Sequence, residues 1–132
     1  MNGIELLEKY PKAAAVALEW YKQQIIDTST GDVSQDFIDH LISHNTLNGI
    51  VTKIIDKNPR LLFDLFDENE IHIFILPMHV PLNSGISFTY YFLPDKETLK
   101  NVECDSRKEA EGLAIEEAFK MLEEKLTQKV SG

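Results

Sequence analysis

The chain has 132 residues, of which 43% are hydrophobic and 27% are charged. This length supports one domain with its own core, and this composition is too apolar for a disordered chain. The single cysteine, Cys104, cannot form an intramolecular disulfide, which favours a reducing compartment. We therefore expect one globular, cytoplasmic domain without disulfide bonds.

The net charge is −9, from 13 Lys and Arg against 22 Asp and Glu. Such an acidic field repels nucleic acid and anionic membranes, and favours solubility or a basic partner. The longest apolar run, Ala13–Leu18, is far shorter than the roughly 20 residues of a membrane span, and no signal peptide is recognisable. We expect no membrane association.

Four helices are predicted before residue 70. The first begins near Glu5 and ends in the turn-forming segment Thr28–Asp32, with Pro11 either early in it or at the first turn of its main part. Ser34 is a typical N-cap for a second helix over residues 35–43. The buried face of this second helix would comprise Phe37, Ile38, Leu41 and Ile42.

The third helix is predicted over Leu47–Lys57, and a fourth follows over Arg60–Phe66. The dipeptide Asn58-Pro59 before the fourth helix combines a capping residue with a helix-starting proline. Five of the seven residues in this helix are apolar. We therefore expect this short element to lie in the core.

Alternating apolar residues predict two strands, over residues 71–76 and 86–92, joined by the loop Pro77–Gly85. A third strand is predicted near Asn101–Cys104. Asp105 or Ser106 then caps an amphipathic helix that continues to Leu126, and apolar residues cover about half of its circumference.

Apolar residues thus follow helical spacing first, strand-like alternation next and helical spacing again at the end. This order predicts an α+β fold, with N-terminal helices, a small antiparallel β-sheet and a long C-terminal amphipathic helix packed on the sheet. The helical part would cover residues 1–69, the β part residues 70–104 and the last helix residues 105–128. The predicted core residues are Ile71, Ile73, Ile75, Phe88, Tyr90, Phe92, Leu113, Phe119 and Leu122.

Asp36, His40 and His44 are the candidate metal ligands. They recur every four residues, so a continuous helix would place them on one face, and two imidazoles at this spacing can bind zinc with a carboxylate. A fourth ligand is not evident, and this face lies opposite Ile38 and Ile42, where a solvated surface is expected. We expect neither a metal nor a cofactor.

Catalytic groups are sparse. His72 on the first strand and His79 in the Pro77–Gly85 loop are the candidate general acids or bases, because histidine as a residue type titrates near neutrality. Cys104 would be a nucleophile if a cation such as Arg107 lowered its pKa. Exposed histidines and a buried structural cysteine are the simpler interpretation, so we expect a non-enzymatic protein.

Carboxylates are abundant at two places. One group lies on the polar face of the last helix, where it forms either a solvated surface or a partner-binding surface; it consists of Glu109, Glu116, Glu123 and Glu124. The other is a turn rich in acids before the first strand, whose spacing matches no calcium loop; it consists of Asp64, Asp67, Glu68 and Glu70.

The C-terminal half, over about 70–126, resembles double-stranded-RNA-binding domains. The resemblance is carried by strands followed by Ser106-Arg107-Lys108-Glu109-Ala110-Glu111-Gly112-Leu113-Ala114. It implies a three-stranded sheet and a last helix whose first basic pair, here Arg107 and Lys108, contacts phosphates. Glu111 stands where the family has its next lysine, and the family's glycine-rich turn is absent, so we expect nucleic-acid binding to be unlikely.

The chain also looks like small uncharacterised proteins of bacterial prophages and mobile elements. The segments that carry this resemblance are Glu8–Ala14, Asn58–Asp64, Phe66–Ile71 and Ser106–Glu111. It implies no activity or functional residue, but it favours a role in binding a host or phage partner.

These observations together predict a protein-interaction or regulatory module with an unknown protein partner, and the acidic charge favours a basic one. Phe74, Leu76 and Tyr91 would lie on the second face of the sheet, where a homodimer is an alternative to cover by the N-terminal helices. The competing hypothesis is a small-molecule binder or small enzyme that uses the Pro77–Gly85 loop with His72 or His79.

Overall fold

The computed structural model describes residues 2–29, 34–79, 86–93, 100–104 and 106–131. These residues form an α+β fold, as predicted, with a three-stranded antiparallel sheet in the order β1-β2-β3. Its elements are α1 (Gly3–Lys9), α2 (Pro11–Thr28), α3 (Gln35–Leu41), α4 (His44–Lys57), a 3₁₀ turn (Pro59–Leu62), α5 (Phe63–Glu68), β1 (His72–His79), β2 (Ile86–Leu93), β3 (Lys100–Cys104) and α6 (Arg107–Ser131).

The predicted first helix is two helices, so a single continuous helix is wrong, but Pro11 lies at the first turn of the main part, α2, as one of the two alternatives predicted. Tyr10 separates them with φ −122° and ψ 71°, and Pro11 is the first residue of α2. A proline disfavours helical backbone in the residue before it, and it has no N–H to continue the helix. The side chain of Asn2 accepts from the N–H of Glu5 and so caps α1.

Ser34 caps α3 as predicted, because its hydroxyl accepts from the Phe37 N–H at 3.2 Å. The helix ends at Leu41, however, and α4 begins at His44, earlier than predicted. None of the residues of α3 is buried, and Phe37 is 53% exposed, so the predicted buried face is wrong. A helix of only seven residues presents little apolar area to a neighbour.

The predicted fourth helix is a 3₁₀ turn followed by α5. Since a 3₁₀ turn has about three residues per turn rather than 3.6, side chains in the two parts are rotated differently from those of one α-helix. Leu62, Leu65 and Phe66 are fully buried, as predicted, whereas Leu61 is 59% exposed. Glu70, with φ 62°, turns the chain from α5 into β1.

The predicted alternation along β1 and β2 is confirmed, and the third strand is present. Ile73 pairs with Phe92 and Ile75 with Tyr90, on the face that joins the core. Pro77–His79 belongs to β1 rather than to the loop, and residues 80–85 of the predicted loop lie outside the described residues. β3 pairs with β2 through an irregular register between Phe88 and Tyr90.

Helix α6 lies between the sheet and the N-terminal helices. It contacts all three strands on one side, and α2, α4, α5 and the 3₁₀ turn on the other. Ser106 caps it, since its hydroxyl accepts from the Glu109 N–H at 3.1 Å. The rings of Phe66 and Phe119 meet edge to face, with centroids 5.4 Å apart, at the centre of this core.

The predicted core is confirmed, with two degrees of burial. The fully covered members are Ile71, Tyr90, Phe92, Phe119 and Leu122, and the partly covered members are Ile73, Ile75, Phe88 and Leu113. Within the described ranges, no helix combines the length and apolarity that a bilayer crossing requires.

Candidate interaction surfaces

The three candidate metal ligands do not share a helix face. Asp36 and His40 are on α3, whereas His44 is the first residue of α4, because the chain turns at Ile42 and Ser43. In the described part of the chain, no three His, Cys, Asp or Glu side chains are grouped where they could hold a metal ion. The one-face arrangement that motivated a zinc site is therefore wrong.

Cys104 is a buried structural residue, as predicted. It is 1% exposed and pairs with Phe88 across β2 and β3. The guanidinium carbon of Arg107 lies 5.5 Å from the centre of the Phe88 ring, a cation–π contact on the first turn of α6. The burial of Cys104 keeps its thiol away from solvent and from substrates.

His72 is paired with an acid from the preceding turn. Its Nδ1 lies 2.9 Å from Oδ1 of Asp67. Asp67 also lines an open hollow of about 540 Å³, together with Asn58, Arg60, Leu61, Phe63 and Asp64. The backbone of His79 lies on β1, where it pairs with Ile86, far along the strand from this hollow.

The four glutamates on α6 have different environments. Glu123 is not simply solvated, because its Oε2 accepts from the Ala13 N–H at 2.7 Å and so caps the first turn of α2. The adjacent Glu124 is exposed. Glu123 therefore stabilises the packing of α2 on α6, which argues against its predicted place in a partner-binding surface.

Glu109 and Glu116 line a groove with a residue from another helix. They are seven residues apart, so they lie on one side of α6 two turns apart. Asp56, near the end of α4, faces them across the groove, and its Oδ1 is held by the Gly3 N–H at 2.7 Å. The groove has a volume of about 240 Å³, and its other lining residues are Ile55, Gly112 and Leu113.

Gly112 occupies the middle of this groove wall. A glycine inside a helix costs about 0.5–1 kcal/mol relative to alanine. A Cβ added to Gly112 would meet no described atom within 4 Å, so the packing of the described residues does not require a glycine here. Gly49, on α4, is in the same situation but does not line the groove.

Tyr90 is a buried residue of β2, and the charges of α6 influence its phenol. Burial raises the pKa of its phenol above its usual value, and electrostatic interaction with Glu117, Cys104 and Glu116 raises it further. Its phenol is therefore kept neutral at physiological pH.

The described side chains on the face of the sheet opposite α6 are unevenly covered, since Thr89 is only 4% exposed. Phe74 is 40% exposed and Leu76 is 41% exposed, and the ring of Phe74 stacks on Tyr91 with centroids 4.9 Å apart. The N-terminal helices make their main contacts with α6 and with one another. These contacts therefore do not support the alternative in which the N-terminal helices cover the second sheet face.

The residues that carry the resemblance to RNA-binding domains differ in their exposure to solvent. Arg107 and Lys108 are exposed, but Glu111, at the position of the family's next lysine, is buried. A buried carboxylate side chain at this position offers no phosphate contact.

Comparisons with protein-family models, with curated proteins and with solved structures found no match. Both family resemblances therefore remain predictions. Sequence reasoning identified Glu109 and Glu116 but missed Asp56 and Gly112. A glycine inside the strongest helical pattern was the available signal for Gly112, whereas only the tertiary structure brings Asp56 to α6.

Proposed function

We propose that this protein is a non-enzymatic interaction module that binds a basic segment of another protein in the groove between α4 and α6. The observation that carries this proposal is the meeting of three carboxylates, from Asp56, Glu109 and Glu116, around a partly apolar floor. Two of these acids are near in sequence and the third comes from a separate helix.

The groove suits a lysine or arginine side chain. Such a side chain has an aliphatic stem and a charged end, so its stem can pack on Leu113 and Ile55 while its charge approaches the carboxylates. Gly112 lets the partner approach the backbone of α6 closely.

Ion pairs between the groove carboxylates and a basic partner would by themselves give only weak binding. An exposed ion pair contributes about 0.2–1 kcal/mol and is screened by salt. We therefore expect affinity to require both the carboxylates and the apolar floor, and we expect the complex to weaken as the salt concentration rises.

Affinity capture with quantitative mass spectrometry tests the proposal. The tagged protein is compared with a groove variant, Glu109→Gln with Glu116→Gln, at low and at moderate salt. The matched control is Glu68→Gln with Glu124→Gln, which changes the net charge equally at exposed positions outside the groove.

The expected result is a stoichiometric partner that the control retains and the groove variant loses. A partner retained equally by both variants would show that the groove is not the binding site. Absence of any partner at either salt concentration would contradict the interaction function itself.

A small-molecule site is the second candidate, favoured by the Asp67–His72 pair at the edge of the 540 Å³ hollow. An aspartate that orients an imidazole is a common arrangement for acid–base chemistry. A ligand screen by protein NMR tests it, with His72→Ala as the site variant and His40→Ala, on α3, as the control. Ligand binding that both variants retain would exclude this hollow.

A further inference from the structure

We propose that the bond between Asn2 and Gly3 is a site of spontaneous covalent modification, at which the Asn2 side chain cyclises to a succinimide and then becomes aspartate or isoaspartate. The tripeptide Asn-Gly-Ile occurs twice in the chain, at residues 2–4 and 48–50. An asparagine followed by glycine is prone to this reaction, because glycine has no side chain to hinder attack by its backbone nitrogen. Since the two tripeptides are identical, a difference between them in the folded protein comes from the structure.

The first copy is held by two hydrogen bonds that involve the reacting atoms. Asn2 is exposed, and its backbone is extended, with φ −83° and ψ 171°. Its Oδ1 accepts from the Glu5 N–H at 2.9 Å. The Gly3 N–H donates to Oδ1 of Asp56, on α4, at 2.7 Å. The nitrogen that attacks therefore donates to a carboxylate, and the carbonyl that is attacked accepts from a backbone N–H.

Each of these contacts assists one step of the cyclisation. The Gly3 nitrogen bonds to Cγ of Asn2, and its proton passes to the Asp56 carboxylate, which acts as a general base. The negative charge that forms on Oδ1 of Asn2 is stabilised by the Glu5 N–H. The bond from Cγ to Nδ2 then breaks, and the proton leaves Asp56 with that nitrogen as ammonia. Water opens the ring at either of its carbonyl carbons, which gives aspartate or isoaspartate at position 2.

The second copy lies inside α4, where the helix opposes the reaction. Gly49 follows four residues of this helix that precede Asn48 and Gly49 in the same turns, so its N–H points along the helix toward the carbonyl of Asn45. The neighbours Leu47 and Val51 are 4% and 0% exposed, and they anchor this part of α4 in the core. Asn48 can cyclise only when α4 opens locally and exposes these side chains. We therefore expect Asn48 to be protected, although its own side chain is exposed.

The modification changes the contact between α1 and α4. A Cβ on Gly3 would lie 2.6 Å from the carbonyl oxygen of Thr52, so the close packing of α1 on α4 requires a glycine beside Asn2. In the succinimide the Gly3 nitrogen carries no hydrogen, so Asp56 loses its donor while the ring lasts. Isoaspartate adds an atom to the main chain immediately before α1. The proposal does not rest on the groove, although Asp56 also lines it.

Peptide mapping by mass spectrometry of the full chain, stored at neutral pH, tests the proposal, with isoaspartate detected by enzymatic methylation. A parallel sample is kept in urea at a concentration that unfolds the chain. In the folded chain Asn48 should convert at least about tenfold more slowly than Asn2. In urea the two rates should be similar, because the local sequences are the same.

The role of Asp56 is tested with Asp56→Asn. The amide keeps an oxygen to accept from the Gly3 N–H but is not a base, so the contact between α1 and α4 is retained. This variant should convert Asn2 at least about tenfold more slowly than the wild type when it is folded, and at the wild-type rate in urea. Asp64→Asn, at an exposed aspartate on α5, is the matched control and should convert Asn2 like the wild type. Circular dichroism checks that both variants are folded.

Three results would overturn the proposal. If the folded chain converts Asn48 as fast as Asn2, the structure does not select the first copy. If Asn2 stays intact in the folded chain over the time in which the unfolded chain converts fully, the two hydrogen bonds protect the amide instead of activating it. If Asp56→Asn converts Asn2 as fast as the wild type or faster, its carboxylate is not the proton acceptor. Loss of partner capture in the groove variant bears on none of these measurements.

Discussion

Glu123 provides a sharp test of how α2 is held on α6. Its carboxylate accepts from the Ala13 N–H at 2.7 Å, in a part-buried contact between residues 110 positions apart. A hydrogen bond to a charged group contributes about 1.5–3 kcal/mol, and a negative charge at a helix N-terminus adds about 0.3–1 kcal/mol. We expect Glu123→Ala to lower the free energy of unfolding by about 2–3 kcal/mol.

Urea denaturation followed by circular dichroism measures this change. With a slope of about 2 kcal/mol per molar, the midpoint should fall by about 1 M or slightly more. Glu123→Gln, which keeps an acceptor without the charge, should lose about 1 kcal/mol. Glu124→Ala is the control, since Glu124 is exposed on the next position, and should change stability by less than about 0.5 kcal/mol.

The comparison also decides the role of Glu123. If Glu123→Ala is as stable as Glu124→Ala, the capping contact does not stabilise the fold, and the reasoning from this contact is refuted. Glu123 would then return to the set of candidate partner-binding acids on α6.

Gly112→Ala and Gly49→Ala should each raise the free energy of unfolding by about 0.5–1 kcal/mol in urea denaturation, since an added Cβ meets no described atom within 4 Å. Only Gly112→Ala should reduce partner capture, and equal capture by both would contradict close approach at the groove. The raised pKa of Tyr90 means that the unfolded chain loses this proton first as the pH rises, so stability is retained below about pH 10 and falls above it. Urea midpoints across this range should decline less in Tyr90→Phe, and an unchanged decline would refute the assignment. Phe119→Ala should cost about 3–5 kcal/mol and Leu61→Ala less than about 0.5 kcal/mol, measured by the same denaturation, because the first ring is fully buried and the second side chain is mostly exposed.

Local patterns predicted most elements because their causes are local. The period-two alternation of residues 71–76 and 86–92 requires one apolar face, and the strands observed there have that face in the core. The capping chemistry of Ser34 and Ser106 likewise depends on a side chain and a backbone N–H three residues apart.

The two helix boundaries that the sequence analysis missed, at Tyr10 and at Ser43, also have local causes. The pattern from Glu5 to Thr28 predicts one helix, but a proline constrains the residue before it, and α1 and α2 separate at Tyr10. The separation of α3 from α4 at Ser43 removed the shared face of Asp36, His40 and His44. A spacing of four residues has meaning only while one helix continues.

The sequence by itself determined the α+β class, the alternation of β1 and β2, the burial of Cys104 and the apolar stripe of α6. These follow from periodicity and from short-range hydrogen bonding, which act over a few residues. Only the tertiary structure decided that α6 lies between the sheet and the other helices, that Glu123 caps α2, and that Asp56 joins Glu109 and Glu116. Such contacts join residues that are far apart along the chain. A local pattern shows that a helix or strand has an apolar face, but it does not determine which other element packs against that face. On the side of the sheet away from α6, Phe74 is 40% exposed and Leu76 is 41% exposed.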